Sequence, residues 1–174
     1  MVHDLSIRPL SPTDFLLMTK WFQSEEIIHY YGDPTKPYTY DTILETYAAR
    51  LNGLIQTTTF IVEKDTDPIG LMEEHFVSEE EAAIWGLPLD KTYIAFDQFI
   101  ADPMLWGKGI GTQMIRRFVV ELITKKQPDG VVLTPQVDNL RAMRCYEKCG
   151  FEKIKEIENG SKWLFMYKNS SLAN

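Results

Sequence analysis

Hydrophobic and polar positions alternate along this chain with two periods, and the switches between them outline its elements. Leu5 to Leu10 reads as a first strand. Ser11-Pro12-Thr13-Asp14 then has the form of a helix start, a capping residue followed by Pro in the first turn. Phe15, Leu16, Met18, Trp21 and Phe22 give that helix an apolar face. Gly32-Asp33-Pro34 predicts a turn. From Tyr40 to Asn52, Ile43, Leu44, Tyr47, Ala48 and Leu51 recur at helical spacing, and Gly53 can end the helix. Thr57 to Glu63 and Ile69 to Phe76 are β-rich, and Asp65-Thr66-Asp67 between them predicts a hairpin. Ser78 to Asp90 is acidic and reads as irregular. Tyr93 to Ile100 is a further strand. Ile110 to Ile123 is an amphipathic helix carried by Ile110, Met114, Ile115, Phe118, Val119, Leu122 and Ile123. Gly130 to Thr134 reads as a short buried strand, and Asn139 to Lys148 as a helix ended by Gly150. Phe151 to Ile157 and Lys162 to Tyr167 predict a terminal hairpin around Asn159-Gly160, a tight-turn pair. Mixed strands and helices in this order give an α/β (α+β) class with a central, mostly antiparallel sheet.

The chain's 174 residues suit one domain over residues 1–174 and are enough to bury a full core. No internal repeat, low-complexity tract or dividing linker interrupts it. No apolar run approaches the length of a membrane span. The N-terminal MVHDLSIRPL carries neither a basic n-region nor an apolar h-region, so no secretory signal is expected. Cys145 and Cys149 are four residues apart on an expected helix and read as reduced thiols, which fits a cytoplasmic protein. The net charge of −7 disfavours nucleic acid as a partner and is compatible with a small cationic substrate. His29 and His75 lack metal-ligand spacing, so no metal is expected.

Two features of the central region suggest chemistry. Asp97 is a carboxylate inside the apolar run YIAFDQFI. Soon after comes Gly107-Lys108-Gly109-Ile110-Gly111, between a strand and a helix N-terminus. Backbone N–H groups and the helix dipole make such a place suited to an anion, and glycine lets phosphate approach the backbone. The spacing is neither G-x-G-x-x-G nor that of a Walker loop.

A second segment, Asn139-Leu140-Arg141-Ala142-Met143-Arg144-Cys145-Tyr146-Glu147-Lys148-Cys149-Gly150-Phe151, reads N-x-x-A-x-x-x-Y-E-K-x-G-F. Together with the glycine loop it resembles the GNAT superfamily of acyltransferases. The stretch from Phe96 to Thr112 is similar to one branch, the aminoglycoside 6′-N-acetyltransferases. The clear resemblance runs from about Tyr93 to Phe151, with a weaker one at Tyr30-Tyr31-Gly32 and Ile69-Gly70. It implies a single GNAT-like domain using acetyl-CoA. The cofactor's pyrophosphate would rest on the backbone of Gly107, Lys108, Gly109, Ile110, Gly111 and Thr112. Its pantetheine arm would pair with the strand edge at Phe99, Ile100 and Ala101, and Asn139 would hydrogen-bond it. Trp106 is a departure, since many members have Arg or Gln there.

The resemblance also implies direct transfer of acetyl to a primary amine. Asp97 would take the proton of the amine, and desolvation in a semi-apolar wall suits a carboxylate to that task. A backbone N–H would polarise the acetyl carbonyl, and Tyr146 would protonate the departing thiolate. Acids and aromatics that could hold a cationic aminosugar are Tyr30, Tyr31, Asp33, Glu73, Glu74, Trp85 and Asp90, with Gln98 beside Asp97. Glu73 and Glu74 are adjacent on a strand, so only one faces an acceptor, and position favours Glu73. Thr134 stands where the aminoglycoside branch often has Asp before Pro. Asp138 is placed to cap the following helix. The alternatives are transfer to a small amine or hydroxylamine of the siderophore type, and a non-catalytic CoA-binding protein. Either a monomer or a homodimer is compatible with the chain.

Overall fold

The computed structural model describes residues 4–169, so the first three residues of the N-terminal stretch lie outside it. The strands are β1 (Leu5–Pro9), β2 (Thr58–Lys64), β3 (Asp67–Phe76), β4 (Tyr93–Ile100), β5 (Gly130–Leu133), β6 (Glu152–Ile157) and β7 (Lys162–Lys168). They form a seven-stranded sheet in the order β1-β2-β3-β4-β5-β7-β6. The pairs β1/β2, β2/β3, β5/β7 and β6/β7 are antiparallel, and β4/β5 is parallel. The helices are α1 (Phe15–Trp21), α2 (Glu25–Tyr30), α3 (Tyr40–Leu51), α4 (Glu79–Trp85), α5 (Ile110–Lys126) and α6 (Leu140–Lys148). The mixed class expected from the hydrophobic pattern is therefore present. Contacts divide the chain into two compact units. One runs to Glu74 and includes Asp97–Leu105; the other is His75–Phe96 with the residues from Trp106 onward.

In the first unit, α1, α2 and α3 pack their apolar faces on β2 and β3. Phe15, Met18, Phe22, Ile27, Ile43, Tyr47, Ile61, Leu71 and Phe99 make one buried cluster. The entry to α1 is fixed by the expected cap. Ser11 and Asp14 form a reciprocal capping box around a 3-10 turn at Pro12–Asp14. Asp14 is only 6% exposed and takes two hydrogen bonds of 2.8 Å from Arg8. Arg8 also donates to Glu63 at 2.7 Å, tying β1 to β2. In the first half of β3 the backbone passes very close to β4. A Cβ on Gly70 would stand 2.2 Å from the Phe99 carbonyl oxygen, so no side chain fits there. The Ala101 N–H donates to the Ile69 carbonyl at 2.8 Å beside it.

In the second unit, α5 buries Ile110, Met114, Ile115, Phe118, Val119 and Leu122. Phe96 meets Phe118 edge-on at 5.3 Å. A second cluster gathers Ala82, Trp85, Leu87, Tyr93, Ala95, Val132, Ile157 and Leu164. β4 pairs with β5 only through Tyr93, Ile94 and Ala95, so the backbone of Asp97–Ile100 lies outside that ladder.

Three local expectations are corrected. Ser78–Asp90 is not irregular throughout, because Ser78 and Glu81 form a capping box that starts α4. Asn159-Gly160 does not close a two-residue turn. β6 and β7 are joined by four residues, and Glu158, Asn159 and Gly160 all take positive φ. α6 is capped not by Asp138 but by Asn139, whose Oδ1 accepts from the Ala142 N–H at 3.1 Å. One helix, α2, lies in a stretch where the pattern predicted no element. It is a short helix capped by Ser24.

Two stability predictions follow from the first unit. The β2/β3 hairpin turns on Asp65 and Thr66, with φ of 52° and 74°. The left-handed region costs a non-glycine residue about 1–2 kcal/mol, partly offset for glycine by unfolded-chain entropy. Thr66→Gly is expected to raise stability by about 0.5–1 kcal/mol in urea denaturation; a loss would refute the turn strain. For Asp14, burial alone would raise its pKa, but the hydrogen bonds from Arg8 and the Ser11 N–H overcome this and hold it below the usual carboxylate value. A depressed folded pKa stabilises above the unfolded value and is lost as pH falls through the folded one. Asp14→Asn should cost about 1–3 kcal/mol at pH 7. Its difference from wild type should shrink once the pH falls below about 4. An equal gap at pH 7 and pH 3 would contradict the ionic reading.

Candidate active site

The glycine loop has the form expected of an anion cradle. Gly107 and Gly109 have φ of 70° and 82°, values that L side chains rarely adopt. A Cβ at either would meet no atom within 4 Å, so the loop is open there rather than packed. Gly109 is the N-cap of α5 and brings no capping side chain to its first turn. The N–H groups of that turn are the donors a pyrophosphate requires. The donor set fits the phosphates of acetyl-CoA. Gly107, Lys108 and Gly109 are exposed, while Gly111 and Thr112 are half-buried.

α6 is fastened beside the start of α5. Thr112 Oγ1 is 3.4 Å from Cys145 Sγ, and the Cys149 thiol lies 3.6 Å from the Thr112 carbonyl. Arg116 donates to the Lys148 carbonyl at the other end of α6. Both cysteines are free thiols. A hydrogen bond from the Cys149 thiol holds the Cys145 pKa below the usual thiol value. Tyr146 is buried, with its ring against Phe165 at 5.7 Å and Phe151 at 6.2 Å. At the start of α6 the guanidinium of Arg141 lies 3.7 Å from the centroid of the Trp106 ring.

The expected acceptor residues fall into different settings. Asp97 is exposed, while its strand neighbours Tyr93 to Phe96 are buried. The semi-apolar wall expected around Asp97 is thus not supplied by the strand. Gln98 is half-buried. Phe99 and Tyr31 meet edge-on at 4.8 Å in the first unit's aromatic cluster. The Tyr31 hydroxyl is buried and has no hydrogen bond of ordinary geometry. Burial first, and then the neighbouring Tyr47 and Asp97, push its pKa well up. Tyr30 is half-buried and stacks edge-on with His29 at 4.5 Å.

Of the remaining acids, Asp33 and Glu73 are engaged within the chain. Asp33 accepts from the N–H and hydroxyl of Thr35, at 2.9 and 2.6 Å. Glu73 pairs with Arg50, and both side chains are mostly buried. Glu74, on the opposite face of β3, is 2% exposed. His75 lies 3.1 Å from Glu81. Asp90 is exposed. Trp85, expected to line an acceptor cleft, is 7% exposed and belongs to the second unit's core. Its position at the buried end of an unanticipated helix explains the difference.

Arg50 was not singled out by the sequence pattern, and Tyr47 only as part of the apolar face of α3. They stand three residues apart on one face of α3, with Arg50 4.6 Å from the Tyr47 ring centroid. Burial raises Tyr47 to about 12 despite that cation. A buried arginine three residues after a buried tyrosine is the signal that could have marked them. Among the described residues, no cluster of three or more His, Cys, Asp or Glu side chains could hold a metal ion. None of the described helices is long and apolar enough to cross a membrane.

Residues 11–159 match the acetyltransferase (GNAT) domain family. The aminoglycoside N(6′)-acetyltransferase type 1 of Klebsiella pneumoniae is 26% identical over 149 residues, which cover 86% of this chain and 74% of that protein. Among solved structures, aminoglycoside acetyltransferase AAC(6′)-Ib in complex with coenzyme A superposes with a TM-score of 0.79 at 23% identity, covering 98% of each chain. Spermidine N-acetyltransferase from Vibrio cholerae, in complex with CoA and spermine, gives 0.75 at 21% identity, again over 98% of each chain. Both superpositions show a shared fold. With the family match spanning most of the chain and a loop whose donors fit the cofactor, the protein belongs to the GNAT acetyltransferases and is an acetyl-CoA-dependent N-acetyltransferase.

Proposed function

We propose that the protein acetylates the 6′-amine of an aminoglycoside-like aminosugar by direct transfer. The observation that carries the reading is Asp97, an exposed carboxylate that directly follows the four buried residues Tyr93 to Phe96 and whose charge adds to the upward push on the Tyr31 hydroxyl's pKa. The curated relative named above, an aminoglycoside N(6′)-acetyltransferase, supports the choice of acceptor.

Acetyl-CoA supplies the activated acetyl thioester. The chain's own residues handle the proton and the orientation. An ammonium cannot attack a thioester, so Asp97 accepts its proton and leaves a neutral amine. The backbone at Phe99, Ile100 and Ala101 lies beyond the β4/β5 ladder, where the cofactor's amide-bearing arm would pair; the Ala101 N–H is taken by the Ile69 carbonyl, so the N–H that polarises the acetyl carbonyl would be another of this stretch. Tyr146 donates its proton to the departing thiolate. The backbone from Gly107 to Thr112 holds the pyrophosphate. Asn139 Oδ1 already caps α6, so a contact from Asn139 to the cofactor falls to its amide N–H.

A second reading is favoured by one contact. Arg50 neutralises Glu73, the carboxylate otherwise best placed to hold an additional ammonium. Thr134 likewise lacks the charge of the aspartate it replaces. Those two features suit a smaller amine bearing fewer positive charges.

A CoA-release assay separates the readings, using kanamycin, tobramycin, a polyamine, a lysine derivative and a no-acceptor blank. Rapid turnover confined to acceptors with a free 6′-amine supports the aminosugar. Turnover on the small amine alone selects the second reading. CoA binding without turnover on any of them would reduce the chain to a CoA-binding protein. In the active case, Asp97→Asn should lower kcat by roughly 100- to 10,000-fold, with CoA affinity unchanged. Undiminished turnover removes Asp97 from the mechanism. Tyr146→Phe with wild-type rates removes the tyrosine as acid.

A further inference from the structure

Trp106 immediately precedes the glycine loop, and its indole brings no charge to it. The charge arrives from another element. Arg141 lies in the first turn of α6, and its guanidinium stacks on the Trp106 ring at 3.7 Å. The position of α6 is set independently by the contacts of Cys145 and Cys149 with Thr112 and of Arg116 with Lys148. The stack is therefore a consequence of how α5 and α6 are fastened.

The geometry suits phosphate recognition. Tryptophan is the strongest of the aromatic partners for a cation. A ring engages the flat face of a guanidinium, while the five N–H donors radiate from its rim and can serve more than one partner. Stacking also removes much of the rotamer freedom that a solvent-exposed arginine would otherwise lose on binding. A cation fixed beside this loop would add its attraction for phosphate to that of the backbone N–H groups.

We propose that Arg141, held in place by Trp106, is a phosphate-binding residue for acetyl-CoA. It supplies from α6 the side-chain cation that position 106 lacks. This rests on the reading of the glycine loop as the cofactor's phosphate site.

The test is calorimetric binding of CoA and of 3′-dephospho-CoA to wild type, Arg141→Met, Arg141→Lys, Trp106→Leu and the Trp106→Leu/Arg141→Met double variant. Arg141→Met should weaken CoA about 10-fold, equivalent to about 1.4 kcal/mol, and flatten its salt dependence. Arg141→Lys should fall between, because lysine keeps the charge and loses the planar fork. Trp106→Leu should weaken binding in the same direction, and the double variant should be no worse than Arg141→Met alone. A loss confined to CoA assigns the contact to the 3′-phosphate. An equal loss with both ligands assigns it to the pyrophosphate. Wild-type affinity for both ligands in Arg141→Met overturns the proposal. Gly109→Val, with folding checked by circular dichroism, tests the loop separately. If that variant loses CoA and Arg141→Met does not, the arginine proposal fails while the loop reading survives.

Discussion

The close approach of β3 to β4 at Gly70 is the constraint on which the placement of Asp97 and the backbone after it depends. With 2.2 Å between a hypothetical Cβ and the Phe99 carbonyl oxygen, any residue but glycine would push the two backbones apart. The contact sits two residues beyond Asp97 and beside the hydrogen bond from Ala101 to Ile69. It therefore fixes both the strand that carries the acid and the backbone beyond it. Phe99 completes the arrangement from its other side, since its ring packs on Trp21, Phe22 and Tyr31. An exposed carboxylate is held in this way by residues that are themselves unreactive. In the mechanism proposed above, Asp97 would gain from such support because its backbone is set before substrate arrives.

Electrostatics in the first unit is more local than the net charge suggests. A surplus of seven negative charges describes the whole chain. Around the expected acceptor residues, however, Glu73 is matched by Arg50, and Asp33 is drawn into its own turn by Thr35. Asp97 remains exposed, next to a tyrosine whose buried hydroxyl is held strongly neutral. In the proposed reading, a wall of this kind would recognise a cation through one carboxylate and ring faces more than through a field of acids. The affinity of a polycation would then depend on how many of its ammonium groups reach unengaged acids, not on the protein's overall charge.

Much of the fold was legible because long amphipathic segments report their own periodicity. α3, α5 and the β2/β3 hairpin appear within a residue or a few of the expected bounds. α4 was missed because its composition, Glu-Glu-Glu followed by small and apolar residues, looks like a solvated run. The Ser78–Glu81 capping box was the local signal that outweighed it. Asn159-Gly160 misled for the opposite reason. A strong two-residue turn signal was absorbed into a longer connection with three successive positive-φ residues. Of the candidate site, the loop and Asp97 stood out because glycine and a charge are conspicuous in an apolar context. Arg50 and Arg141 did not, because each derives its meaning from a partner on another element, Glu73 on β3 and Trp106 before α5. Trp85 shows the converse error, since an aromatic in an acidic segment looks exposed until its helix is known.

The glycines themselves distinguish structure from recognition. Gly70 is required because protein atoms already occupy the space a side chain would need. Gly107 and Gly109 are not crowded at all, and their requirement lies in the backbone conformation that opens the helix start. A glycine enforced by packing serves the fold whether or not a ligand binds. Two glycines of positive φ around the N-cap of α5 set the path of the backbone there without being packed against a neighbour. In the proposed reading this conformation would leave the N–H groups of the α5 start to an anion, beside the Arg141 guanidinium stacked on Trp106.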